Sequence, residues 1–324
     1  MMDVAKPVVP ARASLSEDIL QILYRLLAAL LICAMLAIST DSFLYLANIL
    51  NVLRQASLLF FIASGLTLVV LTAGLDLSVG ANVALSACVA GTVIHQSGQP
   101  VLGVLAALAT GATVGLLNGV MVTALRLPSF IATYGMLWVL NGLTYWYMAG
   151  EVIHGFPPAF RQIGSGHLLG LPTPVYLLAL FLAIGTIFAQ RTIWGQQIYA
   201  IGANPVAARL SGVPMSRRLL LVYAVSGTMA GLASIIFLAR LNSAEADIGE
   251  GLTLPAIAAV LIGGTSLFGG VGSMFGTFVG ALILTLVLNG MNLLSVNTSW
   301  QPLVTGVMVI LAVWLDIKTR RRRL

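Results

Sequence analysis

Long apolar runs alternate along the chain with short polar breaks, at 19–40, 56–73, 79–96, 101–124, 130–149, 174–190, 218–239, 254–268, 275–294 and 300–316. Each is close to the roughly 20 residues that one helical crossing of a hydrocarbon core of about 30 Å requires. The runs lack the period-two alternation of barrel strands, and lipid offers no partner for open backbone groups, so the pattern predicts helices. The expectation is an all-α integral membrane protein of about ten transmembrane helices with both termini cytoplasmic. The third and eighth runs are the weakest. Gly80, Gly91 and polar side chains interrupt the third, while the eighth is short and bounded by Pro255 and the Gly269–Gly270 pair. One or two broken or re-entrant segments are expected there, tolerated where protein or a water-filled cavity surrounds them.

Between the sixth and seventh runs lies a polar, basic island, Gly195 to Arg218, with the sequence GQQIYAIGANPVAARLSGVPMSRR. Asn204 followed by Pro205 suits a helix N-cap with proline at the first helical position. A short helix from Val206 to Leu210 should follow, ended by Gly212 and Pro214. Ala207 and Ala208 would give it a smooth surface that can seat in a groove, and Arg209 a charged rim contact. A plain helix lying on the membrane is the competing reading.

Composition agrees with the pattern: 59% hydrophobic and 8% charged residues, against roughly 25% charged in soluble domains. The net charge of +6 does not indicate a nucleic-acid partner, because the basic residues sit in the short connections. Lys6, Arg12, Arg126, Arg191, Arg209, Arg217, Arg218, Lys318 and Arg320 to Arg323 all fall on one face when an even number of helices alternate in direction. That is the positive-inside pattern, and the terminal basic run also attracts anionic membrane lipid. The opposite connections are neutral or acidic and include Glu245, Asp247 and Glu250. Arg54, Arg161 and Arg240 run against the rule. The organisation read from these features is a cytoplasmic N-terminal segment (1–18), one transmembrane domain (19–316) containing a cytoplasmic loop (191–218), and a basic cytoplasmic tail (317–324). No short apolar stretch with a cleavage site precedes the first run, which is read as a retained span. Cys33 and Cys88 lie inside apolar runs, which supports neither a disulfide framework nor a metal site.

Charge inside the runs is nearly absent. Ion-coupled transporters and pumps usually keep buried ionisable groups as relays, and here the one clear candidate is Asp76 in GLDLSVG. It either caps the next helix by accepting from the amide of Ser78 or Val79 or serves translocation; capping is the simpler reading. HExxH, GxSxG and GxxxxGK[ST] are absent, and His95, His154 and His167 lie toward the outer loops. The chain is therefore expected to be a non-catalytic pore without a cofactor of its own, so any ATP must be hydrolysed by a partner. Asn82, Ser86, Asn118, Tyr134, Asn141, Asn289 and Asn292 are uncharged polar residues within runs and, with Asp76, are candidates for a pathway taking neutral polar cargo. Hydrogen bonding between helices competes with that role at each position. Gly111 with Gly115, Gly227 with Gly231, and Gly272, Gly276 and Gly280 have the spacing that lets helices approach closely. The tryptophans, Trp138 among them, read as an interfacial belt. Two stretches, from Val70 and from Val260, share a glycine and leucine spacing that hints at an internal repeat.

Four segments then carry a family resemblance: LTAGLDLSVG (71–80), NGVMVTALRLPSFIATYGM (118–136), GANPVAARLSGV (202–213) and AIAAVLIGGTSLFGGVGS (256–273). In this order and spacing they resemble the permease subunits of binding-protein-dependent ABC importers for ribose and related monosaccharides, over Phe43 to Asp316. The resemblance implies a permease dimer, homo- or heteromeric, in the bacterial cytoplasmic (inner) membrane. It also implies two cytoplasmic ATPase subunits that bind ATP and magnesium, and a periplasmic sugar-binding protein. The island is similar to the coupling helix that seats in the ATPase, which implies that role for Asn204, Pro205, Ala207, Ala208, Arg209, Ser211 and Gly212. Glu245, Asp247 and Glu250 become candidate contacts for the binding protein. Nucleosides or branched-chain amino acids are alternative cargoes, and an autonomous secondary transporter is the reading from a different class. The chain departs from the family pattern at Thr253 and Pro255, where relatives often carry acids, and at Tyr134, where an aliphatic residue is usual.

Overall fold

A computed structural model of the chain describes residues 15–321. Lys6, Arg12 and most of the expected N-terminal segment, together with Arg322 and Arg323 of the tail, lie outside the described residues. The helices are α1 (Leu15–Ser39), α2 (Leu46–Leu71), α3 (Val79–Ser97), α4 (Pro100–Thr123), α5 (Ser129–Met148), α6 (Pro158–Ser165), α7 (Thr173–Arg191), α8 (Ile193–Ala203), α9 (Pro205–Leu210), α10 (Met215–Leu241), α11 (Thr253–Ile262), α12 (Met274–Leu293) and α13 (Gln301–Arg321). Every apolar run coincides with a helix. Eight of them are long and apolar enough to cross a membrane.

Two helices on apolar runs fall outside those eight. α11 has ten residues, about 15 Å at 1.5 Å per residue, half the thickness of a hydrocarbon core. The eighth run is thus the short, incomplete crossing expected of it. α5 has 20 residues but is diluted by serine, threonine, asparagine, tyrosine and glycine. The third run needs correction. α3 is an unbroken helix of 19 residues, and the interruption lies before it, where Thr72 to Ser78 leave the helical path. Its glycines serve approach rather than breakage. A Cβ on Gly80 would lie 2.6 Å from Thr253 Oγ1, and one on Gly91 2.7 Å from Ala244 Cβ.

The core is built around α2, whose residues from Ala56 to Leu71 are all buried, enclosed by α7, α10, α11 and α12. α4 and α10 meet along the glycines expected to bring helices together. A Cβ on Gly227 would stand 2.7 Å from Gly115 Cα, and one on Gly111 2.9 Å from Gly231 Cα, so backbone lies on backbone with no room for side chains. Gly276 and Gly280 of α12 are likewise pressed on the Gly263 and Ala259 backbone.

α10 fixes the two ends of the bundle. Its 27 residues span about 40 Å, from the α8–α9 connection to a cap of short elements. In that cap Ile153–His154 pairs antiparallel with Ser243–Ala244, His167–Leu168 pairs with Leu171–Pro172, and α6 packs on α10. The stretches from Val70 and Val260 both pass from a helix end through a non-helical segment into a new helix, and they meet where Gly270 N donates to Leu71 O at 2.9 Å.

Candidate functional site

Non-helical backbone inside a membrane protein must find partners from its neighbours. In the segment Thr72–Ser78 the first three amides close back on α2 carbonyls, and from Leu75 the partners are side chains from several helices. Leu75 N donates to Ser129 Oγ at 3.2 Å and Leu77 N to Thr133 Oγ1 at 3.1 Å, both on α5. Leu75 O accepts from Thr133 Oγ1 at 3.2 Å and from Tyr223 of α10 at 3.4 Å. Thr253, at the start of α11, donates to Leu77 O at 3.4 Å and accepts from Gly80 N at 3.2 Å. Thr253 therefore holds the half-length helix against α3.

Asp76 is buried at the centre of this segment. Its Oδ1 accepts from Ser78 N at 3.1 Å and Ser78 Oγ at 2.7 Å, and its Oδ2 from Ser226 Oγ at 3.0 Å. Asn118 of α4 donates to Ser78 Oγ at 2.7 Å. The capping reading fits this geometry, extended by bonds that tie α3, α4 and α10 into one buried polar knot. Asn82 belongs to the same region, donating to Gly111 O at 3.3 Å and accepting from Ser86 Oγ at 3.2 Å. Asn289 is also buried, closed into a reciprocal amide pair with Asn48 at 2.8 and 3.2 Å. Asp76, Asn82, Asn118 and Asn289 thus each hydrogen-bond across to a different helix or segment, whereas Ser86 bonds back to Asn82 within α3 and Asn118 Oδ1 is buried without a partner. Asn292, at the end of α12, is exposed and accepts from Gln301 at 2.7 Å.

Tyr134 and Asn141 are placed differently. α5 turns Ala132, Thr133, Leu140, Thr144 and Met148 inward onto α3 and α4. Its other face carries Phe130, Tyr134, Trp138, Asn141 and Tyr145 at successive helical turns, a spacing that aligns them on one stripe. Phe130 and Tyr134 stack with ring centroids 6.1 Å apart at 14°, and Tyr134 meets Trp138 edge-on at 6.4 Å. Gly135 and Gly142 border the stripe with open space where a Cβ would be. Trp138 stands in mid-helix, not at the interface expected of it.

At the opposite end from the strand pairs, α8 and α9 form an arm. α9 begins as the Asn-Pro dipeptide requires: Asn204 Oδ1 accepts from Val206 N at 3.1 Å and Ala207 N at 3.0 Å, and Gly212 leaves the helix at φ +79°. Ala208 corrects one expectation. It is only 4% exposed, whereas Val206 and Leu210 are 68% and 84% exposed. One turn of helix separates Val206 from Leu210, so the outward face is Val206, Ala207 and Leu210 with Arg209 beside it, and Ala208 turns into the protein. The eleven-residue α8 that carries this helix was hidden by the island's polarity; Thr192, which caps it by accepting from Gly195 N at 3.1 Å, is the local signal. Arg218 braces the arm, hydrogen-bonded to Gln197 and stacked 4.6 Å above the Trp194 ring. Tyr199 donates to Gly272 O at 2.8 Å. Gly202 is pressed against Leu71 O and Gly270. Among the acidic candidates, Asp247 and Glu250 are exposed and Glu245 is half-buried.

Residues 48–313 match the family model described as the branched-chain amino acid transport system / permease component. The chain belongs to this permease family. The permease is 41% identical over 297 residues to the ribose import permease protein RbsC of Escherichia coli (strain K12), covering 90% of this chain and 92% of that one. It is 39% identical to the protein of the same name from Bacillus subtilis (strain 168), covering 93% and 94%. It is 32% identical to the xylose transport system permease protein XylH of Escherichia coli (strain K12), covering 94% and 93%. No solved structure matches. The permease is a multi-pass protein of the bacterial cytoplasmic (inner) membrane.

Proposed function

We propose that the permease is the membrane-spanning subunit of an ATP-driven, binding-protein-dependent ABC importer that moves a monosaccharide inward by alternating access. The observation that carries this reading is similarity along nearly the whole chain to permeases named for ribose and for xylose. The structure supports it over amino-acid cargo. A zwitterion asks for charged partners in the bundle, and Asp76 has both carboxylate oxygens committed to serines. The same commitment argues against an ion-relay role for Asp76 and so disfavours the secondary-transporter reading.

In this proposal α9 seats on a cytoplasmic ATPase that binds ATP and magnesium. Val206, Ala207 and Leu210 make the apolar contact and Arg209 the rim contact, while Asn204, Pro205, Ser211 and Gly212 shape the helix and its exit. Ala208 anchors it from beneath. A second permease subunit faces α5, and the stripe of Tyr134 and Asn141 lines the route between them, where aromatic faces pack on the C–H faces of a sugar and the amide bonds its hydroxyls. Glu245, Asp247 and Glu250 sit at the end where a soluble sugar-binding protein docks.

Reconstitution tests the proposal: proteoliposomes holding the permease, its ATPase and the ribose-loaded binding protein take up labelled ribose only with ATP. Vigorous gradient-driven uptake by the permease alone would refute it.

A further inference from the structure

α7 lies at the edge of the bundle, and of its 19 residues only Pro174, Leu178 and Ala189 are buried. Its outward face is apolar for most of its length, with Leu180, Ile184 and Ile187 exposed at helical spacing, the surface that acyl chains cover. In the last turn the same face becomes polar: Gln190 and Arg191 are both exposed. The chain then bends at Thr192 into α8, whose exposed line runs through Ile193, Gln196 and Ala200. At this elbow Ala189 and Gln190 of α7 and Gln196 and Tyr199 of α8 line an open recess of about 370 Å³, within the roughly 300–1,000 Å³ of small-molecule sites. α8 is held from elsewhere, by Arg218 stacked on Trp194 and bonded to Gln197 and by Tyr199 bonded to Gly272 O, so the recess is left open.

The charge at the elbow is uncompensated. No acidic residue occurs between Glu151 and Glu245, the stretch that holds Arg191, Arg209, Arg217 and Arg218. Asp76 is committed to serines and Asp316 accepts from Ser266. Arg191 makes no hydrogen bond or ion pair with any described residue. A free guanidinium at the point where a lipid-facing helix surface ends, beside two side-chain amides, is complementary to a phosphate that carries acyl chains. Free phosphate would leave the apolar line of α7 unused, and a soluble partner that covered Leu180, Ile184 and Ile187 would have to enter the hydrocarbon.

We infer that the α7–α8 elbow is a headgroup site for an anionic phospholipid. Arg191 forks onto the phosphate oxygens, the Gln190 and Gln196 amides bond the rest of the headgroup in the recess, and the acyl chains run along Leu180, Ile184 and Ile187. A zwitterionic lipid brings its own cation toward Arg191 and is disfavoured. Because α8 carries α9, an occupied elbow steadies the root of the arm. That consequence rests on the importer reading above, whereas the site itself does not.

Native mass spectrometry tests the site on the full-length permease, purified in mild detergent and incubated with equimolar phosphatidylglycerol and phosphatidylethanolamine. The wild type should retain phosphatidylglycerol in preference. Arg191→Gln should lower that retention about tenfold or more, as expected for a lost hydrogen bond between charged groups, and Arg191→Lys should recover part of it. Gln190→Leu with Gln196→Leu, which keeps the arginine, should also weaken retention. Arg217→Gln removes another exposed arginine of the same end and should change nothing. Equal retention of the two lipids by the wild type overturns the inference. So does an Arg217→Gln effect as large as that of Arg191→Gln, which would mean diffuse attraction to basic residues in place of a site. Displacement of the lipid by millimolar inorganic phosphate overturns it in favour of a free-anion site. None of these readouts needs ATP or a binding protein, so a failed reconstitution of sugar uptake overturns the importer reading and leaves the lipid site standing.

Discussion

Replacing Asp76 separates a structural carboxylate from a transporting one. Asp76→Ala removes the acceptor for Ser78 N, Ser78 Oγ and Ser226 Oγ, three donors in an enclosed site. At about 1–3 kcal/mol for each buried group left unsatisfied, and allowing the hydroxyls to turn elsewhere, the loss is about 3–6 kcal/mol. That is a large part of the stability of most domains. Asp76→Asn keeps an oxygen where Oδ1 accepts from Ser78 and places an amide where the Ser226 hydroxyl can rotate to accept, so it should lose only about 1 kcal/mol. The assay pairs the unfolding midpoint of the purified permease in detergent with ATP-dependent ribose uptake in proteoliposomes. The asparagine variant should assemble and keep most of its uptake, and the alanine variant should lose monodispersity and uptake together. An asparagine variant of wild-type stability that transports nothing would refute the reasoning, because it would give the negative charge a duty beyond joining helices.

Four further outcomes follow from the geometry. Gly227→Leu drives a side chain into Gly115 and Gly111 and should destabilise by about 3 kcal/mol or more, read as early thermal unfolding. Asn289→Leu removes the amide pair with Asn48, which keeps its bond to Phe43 O; the loss should be about 1 kcal/mol with the KM for uptake unchanged. Val206→Asp with Leu210→Asp should leave the permease folded but abolish co-purification of the ATPase, whereas Ala208→Leu should lower stability because that side chain is buried. Trp138→Ala should lower uptake roughly two- to tenfold, in line with the 0.5–1.5 kcal/mol of an aromatic contact, and Trp138→Phe should recover most of it; equal uptake by both would remove α5 from the pathway.

Hydropathy made the helical architecture legible because burial in lipid imposes one pattern on every crossing, and α1, α4, α10 and α12 follow it. It located the break near α3 on the wrong side, since glycine in a membrane helix reports close approach as readily as interruption; Gly80 and Gly91 do the former. The polar residues were conspicuous one by one, but their roles depend on pairings far apart in sequence. Asn289 was conspicuous as a single amide, but its pairing with Asn48, 241 positions away, was not, nor was the bridge that Thr253 makes between Leu77 and Gly80. The Asn204–Pro205 start of α9 was readable because a cap is a local device. Which face of α9 is outward was not, since that depends on how α8 lies against the bundle.

The contact of Gly202 with Leu71 and Gly270 governs how the arm can act. Side chains absorb small displacements by changing rotamer, and this junction has none to absorb them: main chain lies on main chain, fastened alongside by Tyr199 on Gly272. In the proposed importer a push arriving at α9 would therefore reach the end of α2 and the loop leading into α12 with almost no slack, as through a short rigid lever. The play that alternating access requires must be found elsewhere in the molecule.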